Sequence, residues 1–182
     1  MTPTSYKNAV AKVKTANDKA SIVRARAMTS GNRLQIRPYD PSDWPRLCVI
    51  HDAARKDELA YTVGVAAFRS LEETFEDEGL FDAELVVAER DGTVAGFAAF
   101  DETELTWLYV DPALSRCGVG RALLRHAMNR STGNMQIDLL EGNIPAQALY
   151  ASEGFVITDR REGNLIGNES FSATGLVLRH YG

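Results

Sequence analysis

The twenty residues from Leu105 to Leu124 (LTWLYVDPALSRCGVGRALL) constrain this chain more than any other stretch. An apolar, aromatic run stops at Asp111-Pro112, two glycines follow at 118 and 120, and apolar residues then recur at 119, 122, 123 and 127. That order reads as a buried strand, a turn, and a helix opened by glycine. Glycines at a helix start let the backbone approach a ligand closely. The unpaired N–H groups there, with the positive end of the helix dipole, favour an anion such as phosphate. A tight strand-to-helix turn that binds nothing would look the same, so this stretch alone leaves both readings open.

Two familiar phosphate cradles do not fit. A dinucleotide-binding fingerprint needs glycine at position 123, which is Leu, and no Gly-Lys-Ser/Thr tripeptide exists for a P-loop. Around this stretch the pattern predicts a strand at Leu34–Pro38 and a helix through Trp44, Leu47, Ile50 and Ala54 with Ser42 as its cap. It predicts a second helix over 65–76, then strands over 84–89, 93–100 and 104–110, the first two joined at Asp91-Gly92. Beyond the glycines come a helix over 118–129, a strand over 135–140, a helix over 145–152, and strands near 155–160 and 172–179. Antiparallel hairpins followed by alternating helices and strands give an α/β fold with helices on the faces of a mixed sheet.

The segment Ser115-Arg-Cys-Gly-Val-Gly120 resembles the central motif of the GNAT (GCN5-related N-acetyltransferase) superfamily, Gln/Arg-x-x-Gly-x-Gly/Ala. Both glycines match; the leading position departs, with Ser115 there and the arginine displaced to 116. A second element follows downstream as Asn143-x-x-Ala146-x-x-x-Tyr150-x-x-x-Gly154-Phe155, and Ile36-Arg37-Pro38 with Asp43-Trp44 is similar to the start of such domains. The resemblance covers about residues 33–180. It implies an α/β fold with a mixed, mostly antiparallel six- to seven-stranded sheet flanked by helices on both faces. It further implies an N-acetyltransferase moving the acetyl group of acetyl-CoA directly to a primary amine of a small molecule, protein or peptide, with no metal. The alternative is a catalytically silent CoA-binding or protein-interaction module of the same fold.

Residue by residue, the resemblance assigns cofactor binding to Leu108, Tyr109 and Val110 on the fourth strand, to Ser115, Arg116, Cys117, Gly118, Val119, Gly120 and Arg121 in the turn, and to Asn143. It makes Tyr150 the acid that protonates the leaving thiolate, and Glu104 the base, with Asp101 and Glu102 as competitors. Arg125 reads equally as a phosphate contact or a solvated position. His51 sits on the first helix, which in this family walls the acceptor pocket; His126 and His180 have no partner motif. Seven acids and no base between Glu72 and Glu84 read as a solvated helix face or as a rim for a cationic acceptor. A homodimer is an assembly such a domain allows.

Charge divides the 182 residues. Residues 1–33 hold seven basic side chains and one acid, whereas the remainder holds 13 basic and 24 acidic, for a net −5 overall. Residues 1–32 are therefore expected to form a basic extension, with a weak amphipathic helix from about Ser5 to Ala27, and residues 33–182 the acyltransferase domain; Met28 is an internal candidate start. The net acidity argues against nucleic-acid binding, and no apolar run reaches the ~18–20 residues needed to span a bilayer. Cys48 and Cys117 have no metal-ligand spacing, which suits a reducing cytoplasm.

Overall fold

The computed structural model describes residues 33–182; the expectations for the N-terminal extension and its helix lie outside these described residues. β1 (Leu34–Pro38), β2 (Glu84–Arg90), β3 (Thr93–Phe100) and β4 (Leu105–Val110) form an antiparallel sheet in that order. Asp91 and Gly92 both take positive φ (51° and 82°), the turn geometry that closes a two-residue hairpin with the twist its strands need.

The strands expected in one sheet divide into two. β5 (Asn134–Leu140), β6 (Val156–Leu165) and β7 (Asn168–Tyr181) make a second antiparallel sheet, ordered β5-β7-β6. Among the described residues, the β-bridge that joins the two sheets is the parallel one between Glu104 and Gln136, and beyond it β4 and β5 share no ladder. The last two strands are longer than their apolar residues announced. They continue as a mostly exposed hairpin turning between Leu165 and Asn168, because strand pairing extends past the segment the core requires.

α1 (Trp44–Tyr61) packs on one face of the first sheet, burying Leu47 and Ile50 against Val87, Phe97 and Trp107. Its entry corrects one expectation. Asp40, not Ser42, caps a short 3-10 turn (Pro41–Asp43): Asp40 accepts from the Ser42 amide at 2.9 Å, and Asp43 accepts from the Asp40 amide at 2.9 Å. The second expected helix is also broken. Val65–Ala67 forms a 3-10 turn and α2 is the single turn Leu71–Thr74. Ser70 and Glu73 form their own capping box, which demands extended backbone at Ser70 and so ends any helix arriving from Val65.

α3 (Val119–Met128) covers the opposite face, where Val119, Leu123, Leu124 and Ala127 join the larger core with Val86, Ala98 and, from the second sheet, Met135, Ile137 and Leu178. α4 (Ile144–Ser152) follows β5 and buries Tyr150. A helix thus lies on each face of the first sheet, as expected, while the divergence of β4 from β5 opens a gap beside the glycine turn.

Candidate active site

The glycine turn is held in shape from both sides. The Asp111 carboxylate accepts from the Ala113 amide at 2.9 Å and also pairs with Arg46, fixing the chain as it leaves β4. Arg116 and Gly118 adopt left-handed backbone (φ 60° and 85°), which turns successive amides toward one concavity. The amides of Gly118, Val119 and Gly120 find no acceptor among the described residues, as expected for the first turn of α3. A side chain on Gly118 would meet nothing within 4 Å, so the space over the turn is open. Gly120 differs: a Cβ there would lie at ordinary contact distance from Leu149 (3.4 Å) and Val110 (3.5 Å), where α3 meets α4 and β4.

The charges around the turn are less free than the sequence suggests. Arg121 and Arg125 both bind the Glu153 carboxylate, at 3.0 and 2.6 Å. Arg116 is exposed and makes no ion pair among the described residues, and Arg90, which the motif did not flag, reaches the Cys117 carbonyl at 3.5 Å. Ser115 and Cys117 are exposed in the turn itself.

The gap next to the turn has a polar edge. The Asp111 amide bonds back to Ala95 on β3 at 2.9 Å. Since successive residues of a strand alternate their amide directions, the N–H groups of Leu108 and Val110 point away from β3 into the gap. Tyr109 lies between them, its ring stacked on Phe97 at 5.7 Å. Tyr150 is 5% exposed, and its hydroxyl makes no hydrogen bond among the described residues. Burial first, and the Glu58 carboxylate second, push this phenol well above its ordinary pKa, so it holds its proton.

Asn143 and Glu104 occupy more particular places. Asn143 caps α4, accepting from the Ala146 amide at 3.2 Å, and donates through Nδ2 to Glu58 at 3.1 Å. Glu104 lies at the closed end of the gap, beside the bridge to Gln136, in a cavity of about 280 Å³ that Thr103 and His180 also line. Burial, helped by Asp138 and Asp101, raises its pKa. At ~3.3 Å per residue it lies about 13 Å along the strand from Leu108. Asp101 closes the turn before β4 by accepting from the Thr103 and Glu104 amides, and Glu102 is exposed. His126 sits against Phe100 and His180 against Phe155, both in the packing.

Sequence reasoning missed a group on α1. Arg55 binds Glu58 at 2.5 Å, and the charges of these two, with Glu78, act on the hydroxyl of the partly buried Tyr109. His51, Arg55 and Glu58 recur at helical spacing, which could have marked a polar stripe aimed inward. Of the seven acids over 72–84, Glu78 is the one drawn into this group; Glu73 caps α2 and Glu84 pairs with Arg130.

A glycine turn whose amides find no acceptor among the described residues thus stands at the edge of β4 in an α/β domain of two sheets. The model of the acetyltransferase (GNAT) domain matches residues 81–157, which run from before β2 to the start of β6. The peptidyl-lysine N-acetyltransferase YjaB of Escherichia coli is 34% identical over 83 residues, covering 46% of this chain and 55% of YjaB. The chain thus spans about half the length of that relative. The solution structure of apo-form YjaB superposes with a TM-score of 0.61 at 26% identity, over 82% of this chain and 99% of that one. The structure of yncA from Salmonella typhimurium with its cofactor acetyl-CoA gives 0.57 at 20% identity, over 82% and 94%. Residues 81–157 thus match the GNAT acetyltransferase domain, and the fold over 82% of the chain is that of apo-form YjaB.

Proposed function

We propose that this chain is an N-acetyltransferase that carries the acetyl group of acetyl-CoA directly to a primary amine of a peptide or small molecule. One observation carries the reading: the open amides of Gly118–Gly120, the gap-facing amides of Leu108 and Val110, and the protonated Tyr150 all belong to the elements that border one gap. The residues fit the co-substrate, since the space above Gly118 is open and bounded by donors. When bound, acetyl-CoA supplies the activated acyl group as a thioester.

The chain's own residues would then divide the work. The α3 amides, with the dipole of a ten-residue helix behind them, hold phosphate oxygens, and Arg116 adds charge. The amide of Leu108 or Val110 donates to the thioester carbonyl oxygen, where negative charge grows as the amine attacks. Tyr150 gives its proton to the departing sulfur. YjaB is named for acting on peptidyl-lysine, which supports an amine on a flexible chain as acceptor. Thiol release from acetyl-CoA, measured across polyamines, amino acids, aminoglycosides, lysine peptides and peptide N-termini, tests the proposal. Tight coenzyme A binding without release on any of these amines would overturn it in favour of a silent binding module.

A further inference from the structure

A second cavity, of about 10 Å³, lies among α1, the segment after α2 and the tip of the β6–β7 hairpin. It has room for roughly one water molecule, and hence for the head of a primary ammonium but not for a bulkier group. His51, Arg55, Arg69, Thr74, Glu78 and Gly167 are among its walls. Arg55 is bound to Glu58 at 2.5 Å, and Arg69 donates to the carbonyls of Gly167 at 2.6 Å and Glu73 at 3.0 Å. Both cations are therefore engaged. The Glu78 carboxylate, in contrast, makes no hydrogen bond or ion pair among the described residues.

His51 is 2% exposed and its Nδ1 lies 3.0 Å from Asp52 Oδ1. The same carboxylate oxygen accepts from the Leu71 amide at 2.9 Å, which fixes its position. A carboxylate only accepts, so Nδ1 carries the hydrogen and Nε2 bears the lone pair. That nitrogen makes no hydrogen bond among the described residues. The ring packs edge-on against Tyr109 at 4.7 Å, and Tyr109 sits between the two residues whose amides face the gap.

We propose that His51, oriented by Asp52, is the base that receives the proton of the acceptor, and that Glu78 holds the acceptor's unbranched primary ammonium end. This rests on the N-acetyltransferase reading. In the step, an N–H bond of the ammonium breaks, its electron pair stays on nitrogen as the nucleophile, and the proton passes to Nε2. Asp52 balances the imidazolium, which afterwards returns the proton to solvent. A second N–H proton, shed as the amide forms, balances the one that Tyr150 gives the thiolate. Burial, with Arg55 adding to it, keeps the imidazole neutral near pH 7, against the opposing pull of Asp52 and Glu58. Those groups on α1, with Glu78 and Arg69 in the cavity wall and Tyr109 on β4, are the charged and titratable groups around the ring.

The test is thiol release from acetyl-CoA on the full chain, with spermidine and an N-terminally blocked lysine as acceptors, between about pH 5 and 9. The wild type should lose kcat toward acid pH, with the limb lying below the ordinary imidazole range because burial lowers the His51 pKa. His51→Gln should lower kcat about 10²-fold and abolish that limb, with the KM for acetyl-CoA unchanged. Asp52→Asn leaves the ring in place. Its oxygen would still accept from Nδ1 and from the Leu71 amide, but the charge that raises the imidazole pKa is gone, so the acidic limb should move to lower pH. Retention of the acidic limb in His51→Gln would overturn the assignment. Should that variant fail to fold, a folded Asp52→Asn whose acidic limb stays at the wild-type position would overturn it equally. Absence of thiol release by the wild type on every amine would instead refute the acetyltransferase reading itself.

Discussion

Gly96 lies on β3 opposite Val110, where α3 crosses the sheet, and its replacement by alanine tests how the site is assembled. A Cβ there would stand 2.7 Å from the Tyr109 carbonyl oxygen, 3.1 Å from Val119 Cγ1 and 3.3 Å from Leu123 Cδ1. The first contact is to backbone and cannot be relieved by a rotamer change, so β4 or α3 must move. Overpacking of this kind costs about 1–3 kcal/mol, less the roughly 0.5 kcal/mol that alanine recovers over glycine within a strand. For a chain of this size each kcal/mol lowers Tm by about 2–4 °C. Gly96→Ala should therefore melt several degrees below wild type in a thermal scan. It should also weaken coenzyme A binding in calorimetry, because Val119 and Tyr109 border the glycine turn and the gap. Gly120→Ala is the contrasting case: its Cβ finds only ordinary contacts, the nearest at 3.4 Å, and the helix gains about 0.5–1 kcal/mol. A Gly96→Ala variant as stable as Gly120→Ala would refute the argument that glycine at 96 sets the approach of α3 to the sheet.

Four further outcomes can be checked directly. Tyr150→Phe should cut kcat about 10²-fold while leaving Tm nearly unchanged, since the hydroxyl has no protein hydrogen bond to lose; steady-state thiol release and a melt suffice. Gly118→Ala meets no atom but forces a side chain into left-handed backbone, so urea unfolding should show a loss of about 1–2 kcal/mol from strain alone. Arg37 grips Asp43 through two nitrogens at 2.7 and 2.9 Å and Glu89 at 2.9 Å, which holds the Asp43 carboxyl below its ordinary pKa. That pair should stabilise the fold fully above about pH 4 and lose its effect as pH falls through the lowered folded value, so Arg37→Met should cost about 2 kcal/mol at neutral pH and little in strong acid. A chain beginning at Met28 should keep the melt and the coenzyme A affinity of the full chain, since residues Asn32–Gly182 make a unit with its own core; loss of folding would refute the proposed boundary.

Much of the fold was legible because local chemistry announced it. Asp91-Gly92 marked a hairpin, Asp111-Pro112 ended a strand, and glycine preceded α3, each through a backbone requirement that one or two residues state openly. The break near Ser70 was harder to read, since helical periodicity over 65–76 competes with a capping box whose effect depends on backbone dihedrals. The unpaired amides at the start of α3 were also legible, because their positions follow from the glycines. The polar group on α1 was not. His51, Asp52, Arg55 and Glu58 form an ordinary polar stretch of helix in the sequence, and Glu78 is one acid among seven. Only tertiary packing sets Glu58 against Asn143, 85 residues away, and Glu78 in the cavity wall with His51. Asn143 shows the same limit: its place in the motif says nothing of its bond to Glu58, which only the fold brings near.

The parallel bridge at Glu104 and Gln136 has a mechanical consequence. Among the described residues the two sheets hold seven strands, and the bridge that crosses from one ladder to the other is this one, with an amide bond from Gln136 to the Thr103 carbonyl at 2.7 Å. Beyond it, the spacing between β4 and β5 is set by side chains such as Val119, Met135 and Ile137 in the shared core rather than by backbone pairing. Like a book sewn at one corner, the structure can spread there without breaking a ladder. Trimming a core side chain near the open end should therefore admit longer acyl groups while leaving both sheets intact.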